Sequence, residues 1–436
     1  MTIFEGKLRS VSGAQEPVAQ ASRGFPIVRV RENFPALATR DDGQTRVYFD
    51  APGGTQICRQ SIARMIEHLE TGTANSGGVF QTSRDTDALS VAAHQAMADL
   101  LNAEAGEIAF GPNMTSLTLA LSRAIARAWQ PGDEIILSRL DHDANVTPWK
   151  LAARDRRITV QWLDFDPQDG QLCLDMLPSL LSRRTRLVAV ACASNVLGTL
   201  SNVEQIAKIV RAQSDALIFV DAVQSVPHIV TDVEALGADF LACSPYKSFG
   251  PHQGVLWGRR ELLENLAVYK LRPSPDEPAA AKLETGTPSF EAQAGVLGMI
   301  EYLEWVGGEV SDAKPADRRT ALKYAMNACL AYEHALGERL LDGLRKQNKV
   351  RLYGPPSMQD RVPTFAFTIE GYEPKAVAQF LAKQGVHAWA GHFYGVEPVS
   401  RLRLMERGGL VRVGLCHYNT ADEVDRFIEL MAGLSG

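Results

Sequence analysis

Seven short apolar runs punctuate the middle of the chain, and their spacing is regular. They are EIAF (107–110), EIILS (134–138), ITVQWL (158–163), RLVAVACAS (186–194), ALIFV (216–220), DFLAC (239–243) and GVLWG (254–258). Most intervals between them carry apolar residues three and four positions apart, at 115–129, 145–154, 174–181 and 202–212, which is helical spacing. Continuous apolar strands separated by amphipathic helices predict a mostly parallel sheet covered on both faces. The expected architecture is therefore α/β, with one large domain over residues 46–310 built on a seven-stranded sheet.

Upstream, YFDAPGGTQ (48–56) reads as a strand entering a glycine turn, followed by helical spacing at 58–72 and 87–102. NSGGVFQTSRD (75–85) lies between those helices and reads as a long loop. Around residues 306–319 the pattern turns polar, and a long helix-compatible segment then runs to about residue 346. TFAFTI, a helix near 375–384, GVHAWAG, VRVGL and a last helix from 421 follow. These predict a small α+β domain over residues 315–436, joined by the N-terminal segment 1–45. Residues 1–25, polar and aperiodic, are expected to be a mobile arm.

Composition narrows the possibilities. The 436 residues are 45% hydrophobic, enough for a large core, and 45 basic against 51 acidic side chains leave a net charge of −6 with no like-charge blocks. Neither nucleic acid nor a membrane surface is indicated as a partner, and small-molecule chemistry is the expectation. The first twenty residues hold no apolar stretch of signal-peptide length, and the longest apolar run, 187–193, is too short to span a bilayer. A cytoplasmic protein is expected. The cysteines at 58, 173, 192, 243, 329 and 416 form no CxxC pair, so buried thiols are expected rather than disulfides or a metal site.

In an open parallel sheet, ligands bind beyond the carboxyl ends of the strands, so the residues after each run carry the chemistry. GPNMTS, RLDHDAN, NVLGT, DAVQ and SPYK occupy those positions. Lys247, in SPYKSFGPHQG, is either a solvated loop lysine or a desolvated amine able to form a Schiff base. Asp221 is either a turn cap or a buried carboxylate that keeps a pyridine nitrogen protonated, with Gln224 three residues on to donate to a ring oxygen. His142 can stack on an aromatic ring or anchor a loop. Thr115 opens a helix and suits a phosphate, as would an ordinary N-cap. Arg412, in VRVGLCHYNT, can grip a carboxylate with its fork or sit in an ion pair. A ring with a protonated nitrogen, a phenolate, a phosphate and an aldehyde for the lysine describes pyridoxal 5'-phosphate (PLP).

From about Tyr48 onward the sequence resembles the class V aminotransferase group of fold-type I PLP-dependent enzymes, nearest the cysteine desulfurases and isopenicillin N epimerase-like proteins. The resemblance implies that Lys247 bonds the cofactor, Asp221 and Gln224 contact its nitrogen and ring oxygen, and His142 stacks on it. Asn195, in SNVLGT, then lies beside cofactor and substrate, while Met114, Thr115 and Ser244 cradle the phosphate. Thr287, in ETGTPSF, would reach the phosphate of a neighbouring subunit, implying a homodimer with shared sites, and Arg412 would bind the substrate carboxylate.

Two positions depart from the pattern. Tyr246 stands where many relatives have a histidine before the lysine, and its hydroxyl is a candidate phosphate contact. Desulfurases of the group take sulfur onto a mobile cysteine upstream of the arginine, but residues 386–414 contain none; Phe393 and Tyr394 stand about where the thiol is expected. The expected function is a PLP enzyme acting on an α-amino acid through an external aldimine, with lyase, aminotransferase or epimerase outcome open. A true cysteine desulfurase, or an idle PLP-fold binding protein, is the alternative. Gln56, residues 75–81, His392, Phe393 and Tyr394 are the candidate substrate-pocket residues, the two aromatics suggesting an apolar or aromatic substrate side chain. Cys416 is read as a packed thiol.

Overall fold

The computed structural model describes residues 24–435. Its centre is a seven-stranded sheet whose strands are β1 (Ile108–Gly111), β2 (Glu134–Ser138), β3 (Thr159–Leu163), β4 (Thr185–Ala191), β5 (Leu217–Asp221), β6 (Phe240–Cys243) and β7 (Gly254–Gly258). Spatial order is β1-β7-β6-β5-β4-β2-β3, parallel throughout except for β7, which runs antiparallel to β1 and β6. Alternation along each apolar run explains the continuous hydrophobicity. On β4, Val188 and Val190 enter one core cluster, while Leu187 and Ala189 enter another on the opposite face; on β5, Ile218 and Val220 oppose Phe219 in the same way. Over these central stretches, 187–190 and 218–220, both faces are buried, so no polar position is left there. Each fully buried aliphatic side chain contributes about 1.5–3 kcal/mol relative to exposure.

Helices α1 (Arg59–Thr71), α2 (Gln81–Leu101), α3 (Met114–Ile125), α4 (Thr147–Arg156), α5 (Val203–Gln213) and α6 (Phe290–Val310) belong to these layers. The 28-residue α7 (Arg318–Arg345) leads to a four-stranded antiparallel sheet of β8 (Val350–Tyr353), β9 (Thr364–Ile369), β10 (Trp389–Gly391) and β11 (Leu410–Gly414), ordered β8-β9-β11-β10. Helices α8 (Pro374–Lys383) and α9 (Ala421–Ser435) complete this part, whose core includes Phe365, Phe367, Val413 and Phe427.

Four local expectations are corrected. The loop read over 75–85 ends early, because α2 begins at Gln81: its first turns, QTSRDTD, are polar and hide their periodicity, and Asp87 accepts the Gly77 amide (3.0 Å) to fold the loop onto the helix. Of the strand entering a glycine turn read at 48–56, the turn is present at 51–53, but the strand is only the pair Val47–Tyr48, which joins Val386–His387 in parallel. The helix read at 174–181 is a 3-10 turn followed by one α-turn, Leu177–Leu180, carrying Pro178 in its first turn. Of the arm read over residues 1–25, residues 1–23 lie outside the described residues. Phe25 is packed, stacking on Tyr332 with centroids 4.4 Å apart.

Candidate active site

The carboxyl ends of the parallel strands open onto a cleft of about 450 Å³, lined by Met114, Thr115, His142, Asn195, Asp221, Gln224, Ser244, Tyr246 and Lys247, with Asn113, Ala144, Ala191, Ala193 and Val223 between them. Strand register brings them together. Ala191 of β4 pairs with Asp221 of β5, which pairs with Ala242 of β6, so the loops after these strands leave the sheet at one level.

Lys247 ends a 3-10 turn (Pro245–Lys247) and is 7% exposed. Its Nζ donates to the Pro52 carbonyl at 2.8 Å, and the Gln224 amide donates to the same oxygen at 2.7 Å. Burial, reinforced by the Arg412 charge and opposed by Asp221, pulls the Lys247 amine down to about 7. The bland reading as a solvated loop lysine is thereby corrected. Asp221 is buried with Oδ1 accepting the Val223 amide (2.9 Å), and burial raises its carboxyl to about 6.

His142 follows β2 on a 3-10 turn. Its Nδ1 accepts the Ala144 amide (3.0 Å), which leaves the proton of the neutral ring on Nε2. Burial, with the Lys247 and Arg412 charges, lowers it to about 3, so the ring stays neutral at ordinary pH. At the start of α3, Asn113 is extended and its Oδ1 accepts the Ser116 amide (2.8 Å); the amides of Met114 and Thr115 have no intrahelical acceptor by geometry. The β7 backbone passes so close that a Cβ on Gly254 would lie 2.3 Å from the Asn113 carbonyl carbon and 2.7 Å from the Met114 nitrogen.

Arg412, on β11, is not itself among the residues lining the cleft, although its charge acts on Lys247 and His142. It is 4% exposed, donates Nη1 to the Asn195 carbonyl (2.7 Å), and lies 4.3 Å over the Phe393 ring. Asn195 in turn donates Nδ2 to the Phe393 carbonyl (2.8 Å). The Asn195 Oδ1 and the Arg412 Nε are both buried with no hydrogen-bond partner among the described residues. Such orphans are costly unless something satisfies them.

A family model, aminotransferase class-V, matches residues 47–427. The chain belongs to the aminotransferase class-V family. It is an enzyme of the PLP-dependent transferase and lyase type that this family comprises. It is similar to an aminotransferase-like protein, FGM3, of Gibberella zeae (33% identical, covering 94% of this chain and 98% of the relative) and to a probable cysteine desulfurase of Streptomyces coelicolor (30% identical, 92% and 95%). Among solved structures, a cysteine desulfurase from Thermococcus onnurineus in its apo form matches with TM-score 0.82 at 25% identity, over 95% of this chain and 99% of that one.

Not every candidate from the sequence lines the cleft of this class-V chain. Gln56 is half-buried, its amide facing the Tyr418 hydroxyl at 3.4 Å. His392 is exposed, its Nδ1 accepting the Tyr394 amide (3.1 Å), and Thr287 is exposed outside the lining. Phe393 is half-buried beneath Arg412, while Tyr394 is 67% exposed with its ring 5.7 Å from that of His142. Three groups escaped sequence reading. The Pro52 carbonyl sits in the APGG turn, whose glycines marked a turn without saying what it faced. Asp50, two residues earlier, is half-buried near Arg412, and its desolvation raises its carboxyl. Asp141, directly before His142, is 1% exposed and accepts from the Ala191 amide (3.0 Å) and the Asn145 side chain (2.6 Å).

Proposed function

We propose that this chain holds PLP through Lys247 and uses it on an α-amino acid, eliminating from, transaminating or epimerising the substrate without taking sulfur onto itself. The observation that carries the reading is the buried Lys247 amine in one cleft with the Asp221 carboxylate, the open α3 amides and the orphaned Asn195 Oδ1, with Arg412 and its orphaned Nε hydrogen-bonded to Asn195 from behind that lining. The donor set fits the cofactor. Met114, Thr115 and Ser244 offer amides and hydroxyls for its phosphate, His142 a neutral ring for its face, Asp221 a buried carboxylate for its nitrogen and Gln224 an amide for its ring oxygen.

When bound, PLP supplies an electron sink for a substrate attached to its aldehyde carbon. This chain's residues do the rest. The unpaired Arg412 Nε is a donor for a carboxylate, while the unpaired Asn195 Oδ1 is an acceptor for an N–H or O–H of cofactor or substrate. An amine pulled down to about 7 is about half neutral near pH 7, so Lys247 can accept the α-proton as a general base. His142, neutral with Nε2 carrying its proton, packs the ring without adding charge. Phe393 against Arg412 and Tyr394 beside His142 favour an apolar or aromatic substrate side chain. The working unit in this proposal is a cytoplasmic homodimer, Thr287 of the partner subunit contributing to the phosphate site.

Sulfur relay through an enzyme thiol is disfavoured. Phe393 and Tyr394 occupy the loop, five of the six cysteines are buried and Cys173 is half-buried. Burial pushes the Cys416 thiol well above its ordinary range, opposite to what a nucleophile needs. A visible absorbance scan followed by titration with L-amino acids, L-cysteine included, tests the reading. A cofactor band that shifts with one class of amino acid supports it. Absence of any band after adding PLP overturns it in favour of an idle binding fold, and persulfide formation on the chain itself would reinstate the desulfurase.

A further inference from the structure

A second groove of about 780 Å³ opens between the edge strand β8 and the turns following the short helix Val396–Arg401. Four arginines line it: Arg351 from β8, and Arg401, Arg403 and Arg407 from the turns. The chain as a whole is acidic, at −6, so this concentration of positive charge is local.

Only one of the four is neutralised. Arg401 Nε lies 2.9 Å from both carboxylate oxygens of Asp164, and Asp166 adds negative charge at that end. For Arg351, Arg403 and Arg407 no carboxylate closes within ion-pair distance among the described residues; Arg351 instead lies 5.1 Å over the Tyr353 ring. Glu406 is in the same turn and forms no ion pair among the described residues. A single exposed arginine is satisfied by water and needs no partner. Three converging on one concavity repel one another, and a bound anion relieves that repulsion.

The backbone adds an independent sign. Arg403 adopts φ +61°, the left-handed region that a long side chain rarely enters, and Gly408 and Gly409 follow at +79° and +82°. The turn is wound so that Arg403 and Arg407 face the same groove as Arg351. Backbone strain of this kind, of order 1–3 kcal/mol, concentrates at ligand clamps. The apolar part of the lining, Leu402 and Leu404 with Tyr353, belongs to the cluster that also holds Leu140 and Val196, neighbours of His142 and Asn195.

We propose that this groove is a second ligand site, separate from the cleft, for a small phosphoryl-bearing anion with an apolar body. A phosphoryl group is favoured over a lone carboxylate because three guanidinium forks present more donors than two oxygens can accept. The acidic end at Asp164 directs the anion toward Arg351, Arg403 and Arg407, and the leucine and tyrosine surface accommodates the organic portion.

Calorimetric titration of the cofactor-loaded protein with orthophosphate and with phenyl phosphate, at constant ionic strength, tests this, with the visible absorbance recorded to show that the cofactor stays in place. Saturable one-to-one binding is expected, tighter for phenyl phosphate than for orthophosphate. Arg403→Gln and Arg407→Gln should each weaken it by about tenfold or more, while Arg403→Lys, which keeps charge and loses the fork, should fall between. These side chains are exposed, so the variants should fold, and unchanged melting temperatures check that. Binding that persists unchanged in the Gln variants places the anion elsewhere and overturns the proposal, as does the absence of saturable binding. Equal affinity for orthophosphate and phenyl phosphate overturns the apolar body.

Discussion

Lys247 shows how one side chain acquires a chemical role from its surroundings. In SPYKSFGPHQG it is one lysine after an apolar run, and nothing adjacent in sequence distinguishes it from a surface loop lysine. The fold buries it, puts Arg412 nearby and gives its Nζ a single carbonyl acceptor, Pro52, from a turn 195 positions away. Residues that follow strands were legible because the sheet's geometry tells the reader where to look; Pro52 and Asp50 were not, since their relevance comes from a contact across the whole length of the domain. Lys247→Ala should abolish the visible cofactor band and lower turnover by at least roughly a thousandfold, measured by absorbance and product formation. Retention of both would end the Schiff-base role. Arg412→Ala should raise KM for the amino acid about a hundredfold while the cofactor band persists, because it removes a buried charged partner of the carboxylate and leaves Asn195 unbraced. An unchanged KM in steady-state kinetics would remove Arg412 from substrate binding.

At the scale of elements, the start of α3 and the antiparallel strand β7 make one device. Helix α3 supplies free amides, and Gly254 lets β7 pass against them without a side chain between. Sequence periodicity found both elements with correct boundaries to within a few residues, yet it could not show that the glycine was required by a neighbour 140 positions away. Gly254→Ala should therefore push Asn113 and Met114 out of place and weaken PLP binding about tenfold, with far-UV circular dichroism unchanged, since the strand itself tolerates alanine. Normal cofactor affinity would mean that the helix start does not hold the phosphate. The loop 392–395 carries a related lesson. Phe393 and Tyr394 both have positive φ, +54° and +58°, and Asn195 holds the Phe393 carbonyl. Their aromatic character was visible in sequence; the paired left-handed backbone that sets Phe393 under Arg412 was not, because neither of the two positions is a glycine or asparagine.

For the molecule as a whole, burying several ionisable groups at the strand ends links stability to pH. Asp141 lies beneath the cleft, where burial, opposed by the Ala191 amide and helped by the Asp221 charge, raises its carboxyl from 3.8 to about 8. A folded-state value above the unfolded one means that the native chain holds a proton the unfolded chain releases. Below 3.8 both states are protonated and the group favours neither. Between 3.8 and about 8 the unfolded state alone ionises, so the native state loses stability progressively as pH rises, and above about 8 the deficit stays constant. Asp221, raised to about 6 by the same burial, loses stability in the same direction over a narrower window. Lys247 acts oppositely: its amine falls from 10.5 to about 7, so stability attributable to it rises with pH between those values. Comparing the cofactor-free protein with its Asp141→Asn variant isolates the first contribution: the variant's carbonyl oxygen can keep the Ala191 amide, and the loss of the oxygen facing Asn145 is a constant offset that does not change with pH. The melting temperature of Asp141→Asn relative to wild type should climb from pH 4 to pH 8 and then level, read by calorimetry across that range. A difference that stays flat would mean that Asp141 ionises normally in the folded protein, and that its two donors outweigh its burial.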